Sequence, residues 1–92
     1  MSNKQPDDTE TELLRVYESL ISLAREGKYR ERVEILRTLE SMHWWDNWGH
    51  QIYTVRMSAI VAVAELIDDI PEDLQTPIEE ARDVSAGFVG WV

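Results

Sequence analysis

The stretch Ile52–Ile67, with the sequence IYTVRMSAIVAVAELI, is the most apolar part of the chain and decides its fold. Apolar residues lie on nearly every side of a helix drawn through it, and its charged residues are Arg56 and Glu65. A helix that is apolar all round has to be covered by its neighbours. The run is 16 residues long, whereas a bilayer span needs roughly 20. We therefore expect it to form the central helix of a globular domain.

Two amphipathic helices are predicted before this run, at about 9–26 and 28–46. In the first, apolar residues recur at spacings of three and four, which is typical of a core-facing stripe. Thr9 and Glu12 have the spacing of a capping box, which indicates the helix start. Gly27 suits the left-handed conformation that commonly follows a helix end. The stripe consists of Leu13, Val16, Tyr17, Leu20, Ile21, Leu23 and Ala24.

The turn between these two helices is rich in arginine and glutamate. Its sequence from Glu26 to Val33 resembles the turn of a tetratricopeptide hairpin, and the resemblance implies an antiparallel helix pair. Glutamates are intermixed with the basic residues, which indicates ordinary solvated ion pairs. The basic residues are Arg25, Lys28, Arg30, Arg32 and Arg37.

Glycine and proline divide the rest of the chain. Gly49 predicts a break before a third helix at about 50–68, and Pro71 opens a single turn. A capper and a proline at Thr76-Pro77 predict a last helix at 77–86, ended by Gly87 and followed by an apolar tail. We expect an all-α, compact helical bundle of three long helices plus a short C-terminal helix. It forms a single domain over 9–92, behind a disordered leader at 1–8.

The amino-acid composition excludes several classes of function. The 92 residues include no cysteine, which excludes disulfides, thiolate metal sites and a cysteine nucleophile. The net charge is −9 and the isoelectric point is near 4.5, so we expect no direct nucleic-acid binding, which needs clustered cations. Residues 57–92 hold one arginine and eight carboxylates, a net charge of −7. The N-terminus has no apolar signal sequence, so we expect a cytoplasmic protein without membrane contact.

Tryptophan is the unusual residue of this chain. It occurs four times, and three of the four fall within five positions, at Trp44, Trp45 and Trp48. In a continuing α-helix Trp44 and Trp48 would share one side and Trp45 another, away from the core-facing side. Trp91 and Phe88 add two more aromatic side chains near the C-terminus. Because so small a core cannot easily absorb all of them, we predict that these aromatics bind a partner.

These features predict a small acidic, non-catalytic protein-binding module, such as an inhibitor, an antagonist or an accessory subunit. We expect the aromatic surface to hold a protein partner, or a second copy of the chain in a homodimer. An acidic C-terminal face would speed encounter with a basic partner and would, in the sharpest version of the hypothesis, mimic a nucleic acid. The residues of that face are Asp69, Glu72, Asp73, Glu79, Glu80 and Asp83.

An enzyme is the alternative. Carboxylates on two neighbouring helices would chelate Mg²⁺ for nucleotide hydrolysis. Their pattern resembles that of MazG-type pyrophosphohydrolases, with the helix order reversed and an aspartate as the last acid. These carboxylates are Glu65, Asp68, Glu79, Glu80 and Asp83.

The two histidines give little support for a metal-binding site. Glu40 and His43 form one Glu-x-x-His unit, but no second unit exists, and Gly49 interrupts the helix before His50. Our sequence-based expectation is no catalytic residue, no metal and no cofactor.

Overall fold

A computed structural model of the chain describes the backbone of residues 7–89 and the side chains of residues 11–47, 49 and 51–86. This part of the chain is helical, without strands, as the sequence predicts. The helices are α1 (Asp7–Glu26), α2 (Tyr29–Ser41), α3 (His50–Ala64) and α4 (Glu72–Val89), with a 3₁₀ segment (Met42–Trp48) between α2 and α3. Of the predicted disordered leader, Asp7 and Asp8 belong to α1, and residues 1–6 lie outside the described part.

The apolar helix α3 is the centre of the fold. It packs against α1, α2, the 3₁₀ segment and α4. Its residues Ile52, Ile60 and Val63 are almost fully buried, together with Tyr17 of α1 and Leu36 of α2. The prediction of a central helix, made from its apolar composition, is therefore confirmed.

Side chains of α2 form hydrogen bonds to the end of α1 and to the turn after α3. Arg32 donates to the carbonyl oxygens of Ala24 and Leu66 at 2.7 and 2.8 Å. The ends of α1 and α3 therefore meet at one end of the molecule. The Tyr29 hydroxyl donates to the carbonyl of Asp69 at 2.7 Å. Together these bonds tie the turn after α3 to the start of α2.

The expectation of solvated ion pairs around the α1–α2 turn is wrong for Arg32. Its guanidinium bonds three main-chain carbonyl oxygens, the third being that of Arg25 at 3.2 Å. Carbonyls at a helix C-terminus lack intrahelical partners, and arginine satisfies them well because its donors are fixed in a plane. Arg37 pairs with Asp73 of α4, which lies 36 residues away.

The helix ends differ from prediction at three positions. Gly27 follows α1 as expected, but its φ is not positive. An added Cβ there would approach Leu23 O and Glu31 Cβ to 3.0 Å, so a larger residue would require these neighbours to shift slightly. Thr9 lies inside α1. A cap that the sequence reading missed starts α2, where the Glu31 carboxylate accepts the Lys28 amide at 2.6 Å.

The C-terminal helix is longer than predicted. Instead of one turn followed by a short helix at 77–86, α4 runs without a break through Pro77 for 18 residues. Proline at that position removes one intrahelical hydrogen bond. Leu74, Ile78 and Ala81 fall on one side of the continuous helix, and all three are buried in the core. Their packing offsets the lost bond, and the backbone stays helical through Gly87 as well.

One core side chain has an unsatisfied polar group. Tyr17 is 1% exposed, and its hydroxyl has no hydrogen-bond partner within the described part of the chain. Burial raises the pKa of this phenol above its usual value of 10.0; the charge of Arg56 opposes the shift and that of Asp46 adds to it. The ring contributes to the core, whereas the hydroxyl has lost its hydration without compensation.

We predict that Tyr17→Phe raises the free energy of unfolding by about 1 kcal/mol, since it removes an unpaired buried hydroxyl and keeps the ring. The raised pKa adds a pH dependence. The unfolded chain releases the phenol proton first, so the wild type loses stability as the pH rises above about 10, and the variant loses less. Urea unfolding at neutral pH and at about pH 10.5 measures both effects.

Tyr29→Phe is the matched control, because its hydroxyl donates to Asp69. We expect this variant to be slightly less stable than the wild type. A Tyr17→Phe variant that is also less stable at neutral pH would contradict the assignment of an unpaired hydroxyl.

Candidate functional site

The 3₁₀ segment carries the tryptophans at the end of α2. A 3₁₀ helix has three residues per turn, and runs longer than three or four residues are uncommon. Here the segment is seven residues long, from Met42 to Trp48. The prediction that α2 continues to residue 46 is therefore wrong in its last turn, where the chain winds more tightly.

This tighter winding changes which tryptophans share a face. With a period of three, the backbone of position 48 falls in register with Trp45 instead of Trp44. Met42 and Trp45 are half-buried and pack against the core. Trp44 points outward, with 55% of its surface exposed. Of the predicted partner-binding aromatics, the side chains of Trp48 and Phe88 and all of Trp91 lie outside the described part of the chain.

Trp44 and Trp45 contact each other. Their ring centroids are 4.0 Å apart, and the ring planes are tilted by 31°. Trp45 is thus held by the core on one side and covers part of Trp44 on the other. Aromatic side chains in contact typically stabilise each other by about 0.5–1.5 kcal/mol beyond the area that they bury. Trp44 therefore packs against Trp45, while more than half of its surface remains exposed to solvent.

A buried arginine fixes the segment in place. Arg56 of α3 is 5% exposed, and two of its nitrogens donate to the two carboxylate oxygens of Asp46, at 2.9 and 2.8 Å. Its third nitrogen donates to the carbonyl oxygens of Leu39 and Glu40, at 3.1 and 3.4 Å. Arg56 therefore holds both the C-terminal end of α2 and the middle of the 3₁₀ segment.

Gly49 separates the segment from α3. Its φ of +141° and ψ of 166° lie in a region that is essentially restricted to glycine. The sequence prediction of a break at this residue is confirmed. The turn folds the 3₁₀ segment back against α3, so that Asp46 reaches Arg56 in the middle of that helix. We call Trp44, Trp45 and their supports Asp46 and Arg56 the aromatic end.

Three of the predicted acidic residues share one side of α4. At 3.6 residues per turn, Glu72, Glu79 and Asp83 lie within about 40° of one another, along about 16 Å of helix. All three are exposed, and the buried residues of α4 lie on the opposite side. Glu80 and Asp73 lie beside this row, and Asp73 is paired with Arg37. Asp69, the remaining predicted residue, lies in the bend before α4 and offers its carbonyl to Tyr29.

The carboxylates of the alternative magnesium site are not brought together. Glu65 and Asp68 follow the end of α3, whereas Glu79, Glu80 and Asp83 begin two turns into α4, and all five are exposed. Among the described residues no group of three His, Asp or Glu side chains is placed to hold a metal ion. His43 is exposed on the 3₁₀ segment, and the side chain of His50 is outside the described part.

Two open grooves flank α1. The groove between α1 and α3 measures about 560 Å³ and has Glu18 as its charged lining residue. The groove between α1 and α2 measures about 440 Å³ and has three carboxylates in its lining. Neither groove was anticipated from the sequence, because each is lined by residues from two different helices.

Comparison of the chain with protein-family models, with curated proteins and with solved structures finds no match. Within residues 7–89, no helix is both long and apolar enough to cross a bilayer.

We predict that Asp46→Ala destabilises the protein by about 3 kcal/mol, because it leaves a buried guanidinium without its counter-charge. Arg56→Met combined with Asp46→Ala should cost less than Asp46→Ala alone, since no uncompensated charge then stays in the core. Urea unfolding of the two single variants and the double variant measures this coupling. Equal losses for Asp46→Ala and for the double variant would contradict the role given to Arg56.

Proposed function

We propose that this chain is a non-catalytic protein-binding module that docks on a partner protein through the aromatic end. The observation that supports the proposal is Trp44, which is 55% exposed and rests on Trp45. Tryptophan is enriched among the residues that dominate binding energy, because it brings a large rigid surface at little entropic cost. A partner that covers this ring gains from its burial without first having to order it.

The acidic face of α4 supports a basic partner. Glu72, Glu79, Glu80 and Asp83 form no ion pair within the described part of the chain. A row of unpaired carboxylates attracts positively charged groups over about a Debye length and raises the rate of association with a basic partner. An inhibitor or accessory subunit of a nucleic-acid-binding protein would meet such a basic surface, and in that case the row would compete with nucleic acid.

Trp44 is the side chain on which the proposal is best tested. Because Trp45 packs against the core, its replacement would combine loss of stability with loss of binding. Trp44→Ala removes an exposed ring and should leave the fold intact. Tyr29→Ala provides a matched control, since Tyr29 is another half-exposed aromatic side chain and lies at the opposite end of α2.

The experiment is affinity capture from an extract of the native cell, with the whole chain as bait, at low and at high salt. We expect Trp44→Ala to weaken binding of the captured partner by roughly 30-fold, the effect of about 2 kcal/mol at a hot spot. Tyr29→Ala should bind like the wild type, and circular dichroism should show unchanged helix content for both variants. Size-exclusion chromatography with light scattering tests whether the partner is a second copy.

Salt separates the contributions of the two surfaces. Glu79→Gln with Glu80→Gln should reduce capture at low salt and have little effect at high salt, where charge is screened. Competition by duplex DNA for the captured partner would favour the nucleic-acid mimic. A partner that binds the wild type and Trp44→Ala equally well would contradict docking through the aromatic end.

A further inference from the structure

The groove between α1 and α2 combines an apolar floor with an acidic rim. It begins beside the turn that joins the two helices and runs along α2 as far as Thr38. Leu23 and Ile35 supply the apolar floor, and Glu26, Glu31 and Glu34 supply carboxylates. None of the residues that define the aromatic end lines this groove, so the two are different surfaces.

Two exposed apolar side chains, those of Leu23 and Val16, form a strip on one side of α1, although Val16 does not line the groove. Leu23 is 58% exposed, and Val16, one heptad earlier, is 42% exposed. Residues seven apart lie on nearly the same side of an α-helix, about 10 Å from each other. The core of the bundle is closed by other residues, so this strip is not needed to complete it. An exposed apolar strip bordered by charge is typical of a surface that another molecule covers.

The rim has one sign of charge. No lysine or arginine lines the groove, although the surrounding turn is rich in arginine. Arg32 is turned inward onto main-chain carbonyls, and Arg37 is paired with Asp73 of α4. Within the described part of the chain Glu26 and Glu34 therefore form no ion pair. A ligand that carries positive charge beside an apolar surface matches this groove.

We propose that the α1–α2 groove binds a cationic amphipathic helix of a partner protein. The apolar side of that helix would cover Leu23 and Ile35, and lysines or arginines on its flanks would approach Glu26 and Glu34. A helix fits better than an extended strand, because the main-chain groups of α1 and α2 are bonded within their own helices and offer no edge for strand pairing. Ridges of side chains on the ligand would pack into the space between the two helices.

The probe for this proposal is a synthetic amphipathic peptide of leucine and lysine, about five helical turns long, titrated into the whole chain by calorimetry. A peptide of the same composition in scrambled order controls for charge alone. We expect binding of the ordered peptide and much weaker binding of the scrambled one. Amide chemical-shift changes should centre on Leu23 and Ile35.

Variants locate the binding. Leu23→Ser, and separately Glu26→Gln with Glu34→Gln, should each weaken binding of the ordered peptide roughly tenfold. The matched control is Glu12→Gln with Glu65→Gln, which removes the same number of exposed charges outside the groove and outside the two proposed binding surfaces, and should leave the affinity unchanged. Glu31 is left intact, because its carboxylate caps α2 through the Lys28 amide.

Three results would overturn the proposal: equal binding of the scrambled peptide, equal weakening by the two double variants, or no effect of Leu23→Ser. Trp44→Ala should bind the peptide like the wild type, because Trp44 does not line the groove. A loss of peptide binding in this variant would also count against the groove. The test is therefore independent of the proposed function, and either hypothesis can fail alone.

Discussion

The arrangement of this molecule depends on one buried cation, the guanidinium of Arg56. Placing a charge in the middle of the apolar helix α3 costs several kcal/mol unless the charge is paired and all its donors are used. Asp46 supplies the counter-charge through two short hydrogen bonds, and the last carbonyls of α2 accept from the remaining nitrogen. Through these bonds Arg56 joins the C-terminal end of α2 and the 3₁₀ segment to α3.

Two arginines, at opposite ends of the bundle, donate hydrogen bonds to carbonyl oxygens at helix ends. Arg56 satisfies carbonyls at the end of α2, and Arg32 satisfies carbonyls at the end of α1 and after α3. Neither α1 nor α2 ends in a glycine with positive φ, which is the usual device for satisfying such carbonyls. Each arginine joins elements that are distant in sequence, so the helix ends are stabilised by tertiary contacts instead of local turns.

Much of the fold follows from local sequence signals. The apolar character of Ile52–Ile67 identifies the central helix, and Gly49 marks a turn that only glycine readily adopts. Pro77 was misread because the packing of Leu74 and Ile78 outweighs the cost of one missing hydrogen bond. The last turn of α2 was misread for a similar reason. Its winding depends on Arg56, whose partners are 10 and 17 residues away and carry no local sequence signal.

The candidate site was less accessible to sequence reasoning than the fold. Counting tryptophans drew attention to residues 44–48, but an assumed α-helix grouped Trp44 with Trp48. In the 3₁₀ segment Trp45 belongs with the core and Trp44 with the surface. The excess of carboxylates in this part of the chain was evident from composition, but the row of Glu72, Glu79 and Asp83 on α4 was not, because it depends on α4 continuing through Pro77. The α1–α2 groove was not predicted either. Its acidic character depends on the Arg32 side chain pointing into the molecule as much as on the glutamates that line it.

Trp44 is an effective docking residue in this account only if the segment that bears it is rigid before any partner arrives. Backbone order parameters of residues 42–48, from ¹⁵N relaxation of the isolated protein, measure this most directly. We predict values of about 0.85, equal to those of α2 and α3. Values below about 0.6 across the segment would mean that Arg56 and Asp46 do not hold it, and would contradict a preformed aromatic surface.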